Sequence, residues 1–185
     1  MWLLKLPNFS KYGRTITIME CYRIKATMNK EVLVRIAYNG SMDKAAAKRA
    51  LHEELKSGSE DIQNKICRVV IDDENNILAS AAVYVGDEPT YHEIYNGAWQ
   101  TENKIYGIVH RIMAANHAKK RGAASFLMTY CAKLSLEAGV TSMRCDTHPG
   151  NIIMQHTLEK NGYIRCGIIH LTDGADRFAY EKVLK

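Results

Sequence analysis

No apolar run in this sequence is long enough to cross a bilayer, which excludes a transmembrane helix. Met1 to Leu6 (MWLLKL) is also too short for a secretory apolar region, and no small-residue cleavage site follows it. The five cysteines (Cys21, Cys67, Cys131, Cys145, Cys166) are odd in number and widely separated, with no C-x-x-C pair. Neither a zinc ribbon nor a redox pair is indicated, and no metal site is expected. Cys67, Cys145 and Cys166 lie in apolar, strand-like runs, where a free thiol behaves as a small hydrophobe. They are expected to be reduced, which points to the cytoplasm. There is no arginine-rich tract, no aromatic-basic ribbon, no repeat and no low-complexity stretch. A nucleic-acid-binding module is therefore not expected. The net charge of +5 is modest, and Lys119–Lys120–Arg121 is the only tight basic run, which suits a small anionic ligand.

What remains has globular proportions: 46% hydrophobic and 24% charged residues in a chain of 185. That length serves one domain with a substantial core and is short for two. Thr15 to Ala26 alternates like a strand, Lys30 to Tyr38 reads as a short helix, and Asp43 to Lys56 as a second. Ile66 to Ile71 and Ile77 to Val85 flank a turn-rich DDENN segment as a hairpin. Gly86 to Lys104, polar and rich in Tyr and Gly, reads as a long loop of the functional kind. A strand over Ile105 to Ala114 and a helix over Ala123 to Ala138, ended by Gly139, come next. Strand Ser142 to Thr147, helix Ile152 to Asn161, and strands Tyr163 to Leu171 and Arg177 to Leu184 complete the order.

Two stretches carry chemistry. In IYGIVHRIMAANHAKKRGAASFL, Ile105 to Leu127, an apolar strand passes through a basic turn with a glycine into an amphipathic helix. Such a turn leaves backbone N–H groups pointing outward at the positive end of the helix dipole, where they can hold phosphate. Lys119, Lys120 and Arg121 add charge there, and Gly122 admits close approach to the backbone. Downstream, strand TSMRCDT leads into the turn HPGN and the helix IIMQHTLEKNGY, closed by Gly162.

The string D-T-H-P-G-N followed by LEKNGY resembles the second half of the GNAT superfamily, the acetyl-CoA-dependent N-acetyltransferases. That family has an R/Q-x-x-G-x-G/A phosphate loop, onto whose defined positions Lys119, Gly122 and Ala124 fall, with Lys119 replacing the usual Arg or Gln. The resemblance is detailed over roughly the last third of the chain and compatible in element order over about the last 160 residues. It implies an α/β (α+β) fold with a mixed, mostly antiparallel sheet of about six to seven strands and about four helices. It also implies a single domain over residues 15–185, with residues 1–14 as an extension.

For the cofactor, the resemblance implies that the backbone of Ile112, Met113 and Ala114 pairs with the pantetheine arm of acetyl-CoA like an added strand. The N–H groups of Lys120, Arg121, Gly122, Ala123, Ala124 and Ser125 would cradle the pyrophosphate, and Asn151 would reach the pantetheine. Asn151 is equally well read as an ordinary helix N-cap. The leading base is His110, on the strand before the phosphate loop, since histidine titrates where an ammonium must be deprotonated. A strand histidine packed into the core is the common alternative. His148, beside Asp146 at a strand end, is the second candidate, with a turn cap as the plainer reading. His156 reads as surface or packing, and Tyr163 and Tyr180 as core. The tyrosine that protonates the leaving thiolate in many members is replaced by Leu158.

The acceptor would meet Glu93, Tyr95 and Trp99 on the long loop, with Glu102 nearby and Tyr38 on the opposite wall. A loop merely anchored by its tryptophan explains the same residues. Two functions stay open: transfer of acetyl to a small-molecule or peptide amine by direct attack, and a catalytically weak acyl-CoA-binding domain, motivated by Leu158. No membrane or nucleic-acid partner is expected, and a homodimer is compatible with the sequence.

Overall fold

In a computed structural model of the chain, the structure describes residues 17–20, 60–72, 76–115 and 122–185. The expected helices Lys30 to Tyr38 and Asp43 to Lys56, the 1–14 extension, and the basic run Lys119 to Arg121 lie outside the described residues.

Among the described residues, seven strands form a hydrogen-bonded sheet in the order β1-β2-β3-β4-β5-β7-β6: Thr17–Glu20 (β1), Cys67–Ile71 (β2), Ile77–Gly86 (β3), Tyr106–Ala114 (β4), Ser142–Thr147 (β5), Ile164–His170 (β6) and Asp176–Val183 (β7). β4 and β5 run parallel, whereas β1–β2, β2–β3, β5–β7 and β6–β7 are antiparallel, giving the mixed, mostly antiparallel α/β sheet expected. Two α-helices are described, Ala123–Glu137 (α1) and Ile152–Lys160 (α2), and residues 60–63 are also helical.

The chain divides into two compact units, residues 1–82 with 111–127, and residues 83–110 with 128–185. In the first, β-branched residues make β2 a buried strand. Cys67, Val69 and Ile71 share one face and pack with Ile62 and Ile77. The Asp72 carboxylate accepts from the backbone and side-chain N–H groups of Asn76. Cys67 is disulfide-bonded in the structure, where a reduced thiol was expected, whereas Cys131, Cys145 and Cys166 form no disulfide.

In the second unit, β7 pairs along its length with both β5 and β6. Tyr91, Tyr106, Ile108, Ile169 and Ala179 form its buried centre. Helix α2 starts at Asn151, whose side chain accepts the N–H of Met154, and buries Leu158 completely. Tyr163 and Tyr180 are core residues, as expected.

The segment from Gly86 to Lys104 is more ordered than a long loop. It contains a 3-10 turn at Pro89–Tyr91 and a bridge in which Tyr95 and Ile168 exchange both backbone hydrogen bonds at 2.8 Å. Two glycines make that contact possible. A Cβ on Gly97 would lie 1.8 Å from the Cys166 carbonyl oxygen, and one on Gly167 would lie 2.6 Å from that of Tyr95.

Candidate functional site

Tyr106, Ile108 and His110 alternate along β4 and so project from one face of it. The first two enter the buried centre, and His110 is left half-buried, its side chain 21% exposed. β4 pairs with β5 at Gly107–Met143 and Ile108–Arg144, so His110 lies two residues past the last pair. Gly107 is needed on the opposite face, because a Cβ there would sit 2.2 Å from the Ser135 hydroxyl of α1. The next residue, Arg111, breaks the strand geometry with φ of +53°, an uncommon conformation for a non-glycine residue. In the first unit its guanidinium is bound fork-to-fork by the Asp61 carboxylate, at 2.7 and 2.5 Å.

His110 is met by Glu88, the residue that caps the 3-10 turn ahead of Pro89. Glu88 Oε2 lies 3.3 Å from His110 Nε2 and accepts the Tyr84 hydroxyl at 2.7 Å. Glu88 Oε1 accepts the Thr90 hydroxyl at 2.9 Å. The hydrogen bond from His110, helped by those from Tyr84 and Thr90, holds the Glu88 carboxyl down at about 2, against the opposing effect of burial. Ionised Glu88 can only accept, so it takes its hydrogen bond from His110 Nε2–H, and Nδ1 is the ring nitrogen left turned away from it. Tyr84 and Tyr91 place their rings 6.0 Å from the imidazole. The Tyr91 hydroxyl donates to Asp146 at 2.8 Å, and burial pushes its pKa well above the ordinary value.

Beside this pair is an open pocket of about 260 Å³ lined by Pro89, Thr90, His92, Glu93, Tyr95 and His170. Its wall is polar: Tyr95 donates to Glu93 at 2.6 Å and packs its ring 4.5 Å from that of His170. His92 meets both oxygens of Asp87 at 2.8 Å, and His170 meets Asp176 at 2.9 Å. Thr90 belongs to both features, lining the pocket and bonding Glu88.

The other residues marked in the sequence are distributed as follows. Glu93 and Tyr95 line the pocket, whereas Trp99 faces inward, donating to the Tyr91 carbonyl at 3.0 Å and packing 5.5 Å from the Tyr91 ring. His148 is exposed, and its Nδ1 accepts the N–H of Gly150 at 2.9 Å within the HPGN turn. Asp146 bonds Tyr91 rather than His148. Asn151 spends its amide oxygen on the helix cap. Ile112, Met113 and Ala114 are half-buried at the end of β4, and Gly122 precedes α1 with φ of +80°. Ala123, Ala124 and Ser125 form the first turn of that helix, at the positive end of its dipole. Tyr38, Lys119, Lys120 and Arg121 lie outside the described residues.

Glu88 was not identified from sequence, although Glu-Pro-Thr carried a signal: proline at the first position of a helical turn marks the preceding residue as its cap. Arg144 and Glu181 were also missed. Their side chains are 5% and 0% exposed, and they pair at 3.1 Å inside the second unit.

Residues 37–163 match the model of the acetyltransferase (GNAT) family. No curated protein matches the chain. Among solved structures, a GNAT-family acetyltransferase from Streptococcus agalactiae is 36% identical, with 70% of this chain and 72% of that one aligned at a TM-score of 0.61. The PaiA N-acetyltransferase of Thermoplasma acidophilum, solved in complex with coenzyme A, is 15% identical over 91% of this chain and 99% of its own, at a TM-score of 0.63. The NatC complex bound to Gag peptide and CoA is similar in fold, with 11% identity, 93% and 99% coverage, and a TM-score of 0.59.

Proposed function

Because the chain belongs to the acetyltransferase (GNAT) family, we propose that it moves an acetyl group from acetyl-CoA to a primary amine by direct attack, with His110 as the base. The observation that carries this reading is the His110–Glu88 pair at 3.3 Å, built on β4 just past its last pairing with β5. A histidine merely filling the core would not need a carboxylate held ionised by three side-chain donors.

The residues present suit the donor. The left-handed Gly122 leads into α1, whose positive N-terminal end suits a pyrophosphate, and the end of β4 suits a pantetheine arm laid alongside it. Acetyl-CoA supplies the activated acyl group. The chain supplies binding and proton acceptance: the ammonium of the acceptor loses its proton to His110 Nδ1, directly or through one water. The free amine forms the C–N bond, the C–S bond breaks, and the second proton lost by the acceptor nitrogen passes through water to the departing thiolate. Glu88 stabilises the imidazolium formed on the way. Holding the reactants together contributes up to about 7–11 kcal/mol, so one positioned base is sufficient machinery.

No acid is needed at the usual tyrosine position, where Leu158 is wholly buried. A covalent cysteine relay is disfavoured, since burial pushes the Cys145 thiol well above its ordinary range. The pocket beyond Thr90 is the place for the rest of the acceptor, with the Glu93–Tyr95 pair meeting a polar or cationic group.

The test is thiol release from acetyl-CoA with a panel of small and peptide amines, beside direct acetyl-CoA binding. Amine-dependent release that falls about 10²- to 10⁴-fold in His110→Ala, with acetyl-CoA affinity retained, is expected. Release that is insensitive to His110 would remove the assignment. Binding without release on any amine would favour the acyl-CoA-binding alternative.

A further inference from the structure

Arg144 has no hydrogen bond to Glu88 or His110, yet its contacts converge on the segment that carries Glu88. Its guanidinium lies over two rings, 4.3 Å from the centre of Trp99 and 4.1 Å from that of Tyr106. Each of those side chains uses its one polar atom on an end of the 88–91 turn. The Tyr106 hydroxyl accepts the N–H of Glu88 at 3.2 Å, and the Trp99 indole donates to the carbonyl of Tyr91 at 3.0 Å. The guanidinium is itself fixed, by Glu181 at 3.1 Å and by the Thr101 carbonyl at 2.7 Å. Glu181 is fully buried and closes the arrangement, accepting the N–H groups of Gln100 and Thr101 and the Thr101 hydroxyl.

We infer that Arg144 is a positioning residue for the His110–Glu88 pair: with Glu181 behind it, it fixes Trp99 and Tyr106, and these two clamp the turn that aims the Glu88 carboxylate at His110.

A buried ion pair of this kind is weak evidence for stability, because removing two charges from water offsets much of their attraction. Its geometric specificity is the better reason for its presence. Lysine would keep the charge but lose the planar face that lies over two rings, and the fork that reaches Glu181 and Thr101 together. The roles of His110 and Glu88 rest on the function proposed above, but the positioning itself can be read without any acceptor.

The experiment follows the ionisation of Glu88 by carboxyl-carbon NMR in the full chain, for wild type, Arg144→Lys and Tyr106→Phe, each checked for a native spectrum. Wild-type Glu88 is expected to stay ionised to about pH 2, its pKa held there mainly by the His110 hydrogen bond. In both variants the midpoint is expected to rise by about one unit or more toward the ordinary carboxylate value, as the carboxylate drifts from its donors. Tyr106→Phe removes one oxygen atom and carries the test where Arg144→Lys fails to fold. Midpoints at the wild-type value in the folded variants overturn the inference. With the best amine of the panel, Arg144→Lys is expected to lower turnover about tenfold, at unchanged acetyl-CoA affinity. Combined with Glu88→Gln it is expected to add less than about twofold to the loss from Glu88→Gln alone. Losses that multiply overturn it too. A Glu88→Gln variant with full turnover removes the catalytic reading of the pair, and the titration still decides the positioning.

Discussion

Glu88 and His110 are 22 residues apart in the chain and 3.3 Å apart in the fold, one capping a 3-10 turn and the other on a strand. The carboxylate takes its hydrogen bond from Nε2–H, so a single contact determines which ring nitrogen of His110 is left turned away from it.

His110→Ala and Glu88→Gln should separate the parts of this pair. The alanine variant removes the base and is expected to cost the larger factor in kcat. Glu88→Gln keeps the shape but loses the charge that stabilises an imidazolium, and is expected to cost roughly tenfold to a hundredfold. Steady-state thiol release over a pH series checks both.

The same carboxylate ties stability to pH. Its folded pKa, about 2, is below the ordinary 4.5, so the unfolded chain takes up the proton first as pH falls. Its contribution is therefore fully present above about pH 4.5 and lost as pH falls toward 2. The difference in unfolding free energy between wild type and Glu88→Gln should be constant near neutrality and shrink steadily below pH 4.5. Urea unfolding at several pH values measures it, and a difference that grows with acidity would contradict the assignment.

Gly107→Ala is expected to destabilise the second unit by about 1–3 kcal/mol or more, because the new methyl meets the Ser135 hydroxyl at 2.2 Å and the Met143 side chain at 2.9 Å. Pairing it with Ser135→Gly should recover part of the loss. Thermal unfolding of the single and double variants reads the coupling.

Leu158→Ala should cost about 2–5 kcal/mol of stability, as expected for a fully buried leucine whose removal leaves a cavity. Turnover of the protein that remains folded should change little, since this position supplies no acid. A specific loss of kcat at full stability would show that the side chain has a role at the site.

Much of the fold was legible from residue 66 onward because its signals are local. The hairpin around DDENN, the strand ending at Ala114, and the strand Ser142–Thr147 with its following helix lie within a residue or two of where alternation and turn residues placed them. The segment from Gly86 to Lys104 was not legible, because its order comes from partners far along the chain. Gln100 and Thr101 are held by Glu181, some 80 residues on, and Tyr95 by Ile168. Arg144 reads in sequence as the outward-facing polar residue of an alternating strand; only Glu181 and two rings make its burial possible. Of the site, His110 stood out by its residue type and its place on the strand. Glu88 did not, since a glutamate in a polar loop is ordinary until something is seen to face it.

The bridge between Tyr95 and Ile168 has a meaning apart from any acceptor. Among the described residues β6 is the last strand of the sheet, and an edge strand presents unsatisfied main-chain groups to any passing strand unless something pairs with it. Tyr95 occupies the middle of that edge with both hydrogen bonds, seated flush by Gly97 and Gly167. The segment that lines the pocket thus also guards the sheet against edge-to-edge association. Changes that loosen it to admit a bulkier acceptor would uncover a template for aggregation, coupling how freely this site can diversify to how soluble the protein remains.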